Sequence, residues 1–101
     1  MNYASNAVLQ DRVAVITGGA GGIGLETAKA MQQQGARVVI SDINSARGET
    51  VAKELGMEFF PGDLTHSAQV TNLANYVLEQ HGRIDIAFNR PGISNSFLGE
   101  Y

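Results

Sequence analysis

The sequence predicts an α/β fold with a doubly wound parallel sheet, built as β-α-β-α-β-α-β with the strands in the order 3-2-1-4. Short apolar runs rich in β-branched residues alternate with longer amphipathic segments, which is the pattern of parallel βαβ units. A glycine follows each amphipathic segment and is the residue that most often ends a helix. Right-handed crossovers between successive strands then give the predicted strand order.

The first predicted strand and helix flank a glycine-rich segment. Arg12–Thr17 contains a continuous apolar run, which predicts a strand covered on both faces. A helix is predicted from Ile23 to about Gln34, and Gly35 follows its end. The positions expected on its inward face are Ile23, Thr27, Ala28 and Met31.

The later elements repeat this cycle of strand and helix. Their apolar positions follow the same two patterns, and the last stretch, residues 90–101, has no strong periodicity and is predicted to be a loop. The predicted elements are a strand at Arg37–Ser41, a helix at Ser45–Leu55, a strand at Met57–Phe60, a helix between the N-cap Thr65 and Gly82, and a strand at Ile84–Asn89.

Composition and charge exclude several classes of function. The net charge of −3 argues against nucleic acid and anionic membranes as partners. The absence of cysteine excludes disulfides, thiolate zinc sites and cysteine nucleophiles. No apolar run approaches the roughly 20 residues that span a bilayer, and Met1–Gln10 does not read as a signal peptide. We therefore expect a single cytoplasmic domain, residues 1–101.

The glycine-rich segment between the first strand and the first helix is the main candidate for a binding site. A helix N-terminus presents free N–H groups and a positive dipole end to an anion. At this position Gly18 would allow a tight turn, Gly22 the close approach of a pyrophosphate, and Gly24 the packing of helix on strand. The alternative is a sterically tight turn that binds no ligand.

The spacing of this segment resembles the cofactor fingerprint of short-chain dehydrogenases/reductases. Thr17-Gly18 is followed by three residues and then by Gly22-Ile23-Gly24, whereas the ordinary Rossmann fingerprint has one residue between its first two glycines. Further matches to this family are Asp42, the segment Gly62-Asp63-Leu64 and the segment Ile86–Gly92. The resemblance covers about Asp11 to Ile93 and implies a Rossmann-like fold and an oxidoreductase that acts on alcohols or ketones with a nicotinamide cofactor.

Asp42 favours NAD as that cofactor. It follows Gly24 by 18 residues, at the end of the second strand, where a carboxylate accepts hydrogen bonds from the ribose hydroxyls and repels a 2′-phosphate. The two positions where NADP-preferring members often carry a basic residue hold Gly21 and Ile43. Arg47 argues weakly against this interpretation, because it is close enough in sequence to bend back. The alternative is that Asp42 bonds its own turn backbone.

The resemblance also implies contacts with the adenine and the ribose. Asp63 and Leu64 would lie beside the adenine with Ile43 as a second apolar wall; the alternative for Asp63 is loop or capping chemistry. Asn89 opens the family's turn under the ribose, where Pro91 departs from the usual alanine. The cofactor-binding residues that we predict are Gly18, Gly22, Ile23, Gly24, Asp42, Ile43, Asp63, Leu64 and Asn89.

The family's catalytic residues do not occur in these 101 residues. No tyrosine is followed four residues later by a lysine, and Ser94 and Ser96 precede the strand that would carry the family's serine. His66 and His81 are expected at the start and end of a helix, isolated, and no metal site can be assembled. We therefore expect a fragment that is inactive alone and that self-associates through its exposed edge strand and an uncovered helix face.

Two other classes of function compete with an NAD-binding dehydrogenase segment. Methyltransferases that bind S-adenosylmethionine also place glycines after the first strand and an acid after the second, but the Thr-Gly-x-x-x-Gly-Ile-Gly spacing fits them less well. The other alternative is a non-catalytic binding or interaction module.

Overall fold

The computed structural model describes residues 8–62 and 66–88, which form a four-stranded parallel sheet with helices on both faces. The strand order is β3-β2-β1-β4, and every pairing is parallel, so the predicted fold class and strand order are confirmed. The elements are β1 (Val13–Thr17), α1 (Gly22–Gln33), β2 (Arg37–Asp42), α2 (Ser45–Leu55), β3 (Glu58–Pro61), α3 (Ser67–His81) and β4 (Ile86–Phe88).

The central strands β1 and β2 are buried on both faces, which explains their continuous apolar sequences. Helices α1 and α2 pack on one face and α3 packs on the other. Gly48 lets α2 lie close to the sheet, because an added Cβ there would overlap the ring of Phe59. The buried residues of the first face are Ala14, Ile16, Ala28, Ala36, Val38, Ile40 and Ala52; those of the second are Val13, Val15, Val39, Leu73 and Val77.

Two predicted details of the helices are wrong. Ile23 was expected on the inward face of α1 but is 73% exposed. The helix begins at Gly22, and its buried positions are Gly24 and Ala28, so Ile23 lies on the exposed side of the first turn. Helix α3 begins at Ser67 with His66 as its N-cap residue, one position later than an N-cap at Thr65 would require.

β4 begins two residues later than predicted, because the residue before it, Asp85, bonds across to β1 with its side chain. The Asp85 side chain accepts the Val13 N–H at 2.9 Å, and the Asp85 N–H donates to the Val13 carbonyl at 2.9 Å. Arg83 donates to the same carboxylate at 2.8 Å. The hydrogen bond from Arg83, helped by that from Val13, lowers the pKa of Asp85 below its usual 3.8. The carboxylate therefore turns toward β1 and joins the two strands, with β4 beginning at Ile86.

A polar cluster joins the end of α3 to the start of β3. The Tyr76 hydroxyl donates to Glu58 Oε1 at 2.7 Å, and His81 Nε2 lies 2.5 Å from Glu58 Oε2. The hydrogen bond to Glu58 and burial raise the pKa of Tyr76 above its usual 10.0. His81 is therefore at the predicted helix end but is not isolated. Glu58 opens β3, so the cluster lies at the amino end of the parallel sheet.

Candidate functional site

The glycine-rich loop leaves the carboxyl end of β1 and is anchored to both neighbouring strands. The N–H groups of Gly18 and Gly19 both donate to the Ser41 carbonyl of β2, at 2.7 and 3.2 Å. The Thr17 hydroxyl donates to the Phe88 carbonyl of β4 at 3.2 Å. The loop therefore starts from a fixed position at the centre of the sheet edge where ligands bind in open α/β folds.

Each of the three predicted glycines meets a separate steric requirement of the loop. Gly18 has φ +66°, in the left-handed region that side chains disfavour. Gly22 has φ +58° and faces open space, because an added Cβ there would meet nothing within 4 Å. An added Cβ at Gly24 would overlap the Gly18 carbonyl oxygen. The geometry of the three glycines therefore matches their predicted roles: a tight turn at Gly18, an open approach at Gly22 and close packing at Gly24.

Helix α1 begins at this loop without a cap from a side chain. Its N-cap residue is Gly21, in extended conformation, and within the described part of the chain no side chain bonds the cap and no acidic residue lies in the first turn. By contrast, Asn44 caps α2 by accepting the Arg47 N–H at 3.0 Å. The N-terminus of α1 thus offers its N–H groups and dipole to an anion beside the open side of Gly22.

Asp42 connects the end of β2 to the loop. Its Oδ2 accepts the Ala20 N–H at 3.1 Å, and its Oδ1 accepts the Asn44 N–H at 3.0 Å. The second bond is the turn interaction considered for this residue from sequence, and the first holds the glycine-rich loop. A carboxylate has about four acceptor positions, so these two bonds leave capacity for a ligand hydroxyl. The ribose contact of Asp42 stays a prediction.

Arg47 bends back to the loop from the first turn of α2. Its Nε donates to the Ala20 carbonyl, and an added Cβ at Gly21 would lie 3.1 Å from its Nη2. Ala20 and Ser41 are site residues that sequence reasoning missed, since both act through backbone groups. The sequence indicates Arg47 only by its closeness to Asp42.

Two exposed isoleucines lie beside these elements. Ile23, in the first turn of α1, is 73% exposed, and Ile43, directly after β2, is 72% exposed. Both are predicted cofactor contacts from the sequence; the structure shows that their apolar side chains are uncovered, and their contact with a cofactor stays a prediction. The predicted site residues Asp63, Leu64 and Asn89, together with Arg90 and Pro91, lie outside the described residues.

The other described groups supply no second candidate. Tyr76 and His81 bond Glu58 at the opposite end of the sheet. Across residues 8–62 and 66–88 there is no group of three side chains arranged to hold a metal ion. The same residues include no helix long and apolar enough to cross a bilayer.

Known proteins resemble this chain in sequence and in structure. It is 36% identical over 88 residues to short-chain dehydrogenase reductase 5 of Arabidopsis thaliana, covering 84% of this chain and 34% of that protein. It is 46% identical over 84 residues to 3-hydroxyacyl-CoA dehydrogenase type-2 of Rattus norvegicus, covering 81% and 32%. A crystal structure of a short chain dehydrogenase from Mycobacterium smegmatis has a TM-score of 0.79 and 32% identity, covering 83% of this chain and 38% of that one.

The chain thus spans about a third of the length of the curated relatives that it matches. These similarities favour a dehydrogenase over the methyltransferase alternative. The family model described as short chain dehydrogenase matches residues 12–100, which include the loop, Asp42 and all four strands. With this match, the glycine spacing and the strand order in agreement, the chain belongs to the short chain dehydrogenase family.

Proposed function

We propose that residues 1–101 form one NAD(H)-binding domain of an oxidoreductase acting on an alcohol or ketone. Membership of the family implies a nicotinamide cofactor, NAD or NADP, and a small-molecule substrate. The observation that carries the proposal is the open face of Gly22 in front of the uncapped N-terminus of α1. When bound, the nicotinamide accepts or donates a hydride.

The loop fits a pyrophosphate for steric and electrostatic reasons. A phosphate must approach the backbone closely, and Gly22 leaves that approach free of any Cβ. The N–H groups and dipole of α1 are then available to the negative charge of the phosphate, because no carboxylate of the described residues occupies them. In this proposal the chain's own residues bind and orient the cofactor, with Ile23 and Ile43 as apolar contacts.

The choice of NAD over NADP rests on Asp42. Its carboxylate would accept bonds from the ribose hydroxyls, and a 2′-phosphate there would meet a like charge and lose those bonds. The charge of Arg47 reduces this repulsion, but its Nε already donates to the Ala20 carbonyl and is not available to a phosphate. We expect NAD to bind more tightly than NADP by about 1–3 kcal/mol, or roughly 5- to 150-fold.

Calorimetric titration with both cofactors tests this preference. Asp42→Asn removes the charge while keeping an acceptor for the Ala20 N–H, so it should shrink the difference between the two cofactors. Exposed Glu79 on α3 provides the control, because Glu79→Gln makes the same charge change far along the chain. Equal affinities in the parent protein, or tighter NADP, would refute the assignment.

We also propose that the chain self-associates. β4 is an edge strand among the described residues, and Leu78 on α3 is 40% exposed. An open strand edge and an uncovered apolar face both favour contact with another chain. Cytoplasmic location stays a prediction, which fractionation of the native protein tests.

A further inference from the structure

We propose that Arg47 is a positioning residue for the glycine-rich loop. With Asp42 it holds both polar backbone groups of Ala20, and so fixes the loop in the conformation that receives the dinucleotide. This inference rests on the proposed function for its ligand but on described hydrogen bonds for its geometry.

The geometry centres on Ala20, which is 1% exposed. Its N–H donates to Asp42 Oδ2 at 3.1 Å, and its carbonyl accepts a hydrogen bond from Arg47 Nε. The two side chains come from the end of β2 and the first turn of α2. Because Ala20 immediately precedes the N-cap residue of α1, fixing its peptide groups fixes how that helix begins.

The start of α2 is itself held firmly, which makes Arg47 a rigid support. Asn44 accepts the Arg47 N–H with its side chain at 3.0 Å and the Gly48 N–H with its carbonyl at 2.9 Å. Gly48 seats the helix against Phe59 with no room for a Cβ. The position of the Arg47 backbone is therefore set by the cap and by packing.

Gly21 provides the space in which the guanidinium lies. An added Cβ would be 3.1 Å from Nη2 of Arg47, closer than side chains normally pack, and in ordinary contact with Nε and Cζ at 3.5 Å. The ion pairs found among the described residues involve other groups. Within that part of the chain, the loop is thus the polar partner of the Arg47 guanidinium.

A donor at position 47 is the feature that the experiment varies. Arg47→Met keeps much of the side-chain length but removes the donor, and Arg47→Lys keeps a donor. Arg37→Met is the matched control, because Arg37 is exposed at the other end of β2 and the change in net charge is identical. Chains of residues 1–101 are titrated by calorimetry with NAD and with ADP-ribose, which shares the pyrophosphate but lacks the nicotinamide.

Arg47→Met should weaken the binding of both ligands about tenfold, because the loop loses the charge-assisted hydrogen bond that holds it in the binding conformation. Arg47→Lys should recover most of the affinity, and Arg37→Met should match the parent. A purely structural role would lower the melting temperature without rescue of binding by lysine. NAD affinity unchanged in Arg47→Met, or equally weak in Arg47→Lys, would overturn the proposal.

Amide hydrogen exchange at Ala20 separates this inference from the proposed function. Arg47→Met should speed exchange of the Ala20 N–H relative to the parent, whereas Arg37→Met should not. If the parent binds neither ligand, the proposed function fails, and faster exchange at Ala20 in Arg47→Met still supports the positioning role. Unchanged exchange at Ala20 contradicts it.

Discussion

At the scale of single residues, Gly22 and Gly56 have nearly the same backbone but different surroundings. Their φ values are +58° and +70°, and an added Cβ at either one meets nothing within 4 Å. Gly56 ends α2 in left-handed conformation, whereas Gly22 begins α1 at the proposed phosphate position. Substitutions at the two glycines therefore distinguish the cost of backbone strain, which both share, from the loss of a ligand contact, which is expected at Gly22 alone.

We expect Gly22→Val to abolish NAD binding while Gly56→Val leaves it intact. Both substitutions place a side chain at positive φ, which costs about 1–2 kcal/mol of stability at either position. Only at Gly22 does the added side chain stand where the pyrophosphate must come. Thermal unfolding and calorimetry of the two variants measure these effects, and NAD binding by Gly22→Val at parental affinity would show that the phosphate lies elsewhere.

The residues of the site differ in how far the sequence predicts them. The roles of Gly18 and Gly24 were predictable, because both depend on the absence of a Cβ, which the residue type and its spacing in the sequence already show. The bond of Asp42 to Asn44 was also foreseeable, as a local turn interaction. The contact of Arg47 with Ala20 was not, because it is a bond to a carbonyl 27 residues away whose partner carries no distinctive side chain.

At the scale of elements, flanking residues explain which boundaries were predictable. Helix α2 matched its predicted range because Asn44 caps it and Gly56 terminates it, both by local interactions. β4 began two residues later than predicted because Asp85 bonds across to Val13, a contact over 72 positions. Apolar periodicity also failed to predict the exposure of Ile23, since the repeat pattern does not show which residues at a helix end lie beyond the sheet that the helix covers.

The same Asp85 contact predicts how stability depends on pH. The pKa of Asp85 is lowered in the folded state, so the stabilisation is complete above the unfolded value of about 3.8 and is lost as pH falls through the folded pKa. We expect Asp85→Asn to unfold at a lower temperature near neutral pH and to lack this acid-dependent step. Thermal unfolding from neutral pH to below pH 4 measures both effects.

The control for this series is Glu79→Gln, which neutralises one exposed carboxylate on α3. It should keep the parental profile, because Glu79 does not join β1 to β4. An Asp85→Asn protein with the same acid profile as the parent would mean that the strand junction does not depend on the carboxylate charge.

At the scale of the whole molecule, the sheet has an edge at β3 and another at β4 among the described residues. The Asp85 carboxylate, just before β4, turns toward β1, where it accepts the Val13 N–H. The N–H and C=O groups of an unpaired strand edge favour pairing with another chain. The exposed side chains of Leu78 on α3 and Ile23 on α1 add apolar surface to this open molecule.

We predict that the chain forms dimers or larger species at micromolar concentration. Sedimentation velocity measures this directly, and Leu78→Lys should shift the distribution toward monomer because it charges the exposed face of α3. Gln80→Lys adds the same single positive charge at a polar, exposed position and should not shift the distribution. A sharp monomer boundary for the parent, with cooperative thermal unfolding, would contradict the prediction.

The uncapped start of α1 has a consequence for the lifetime of the protein. Under the proposed function, the cofactor takes the place of the missing cap and binds the native state alone. Ligand at roughly a hundred times its Kd then adds about 2.7 kcal/mol to the free energy of unfolding. Proteases that cut the unfolded chain act on its equilibrium population, which falls about a hundredfold at this ligand concentration. Survival of the chain during proteolysis therefore follows the concentration of free dinucleotide around it.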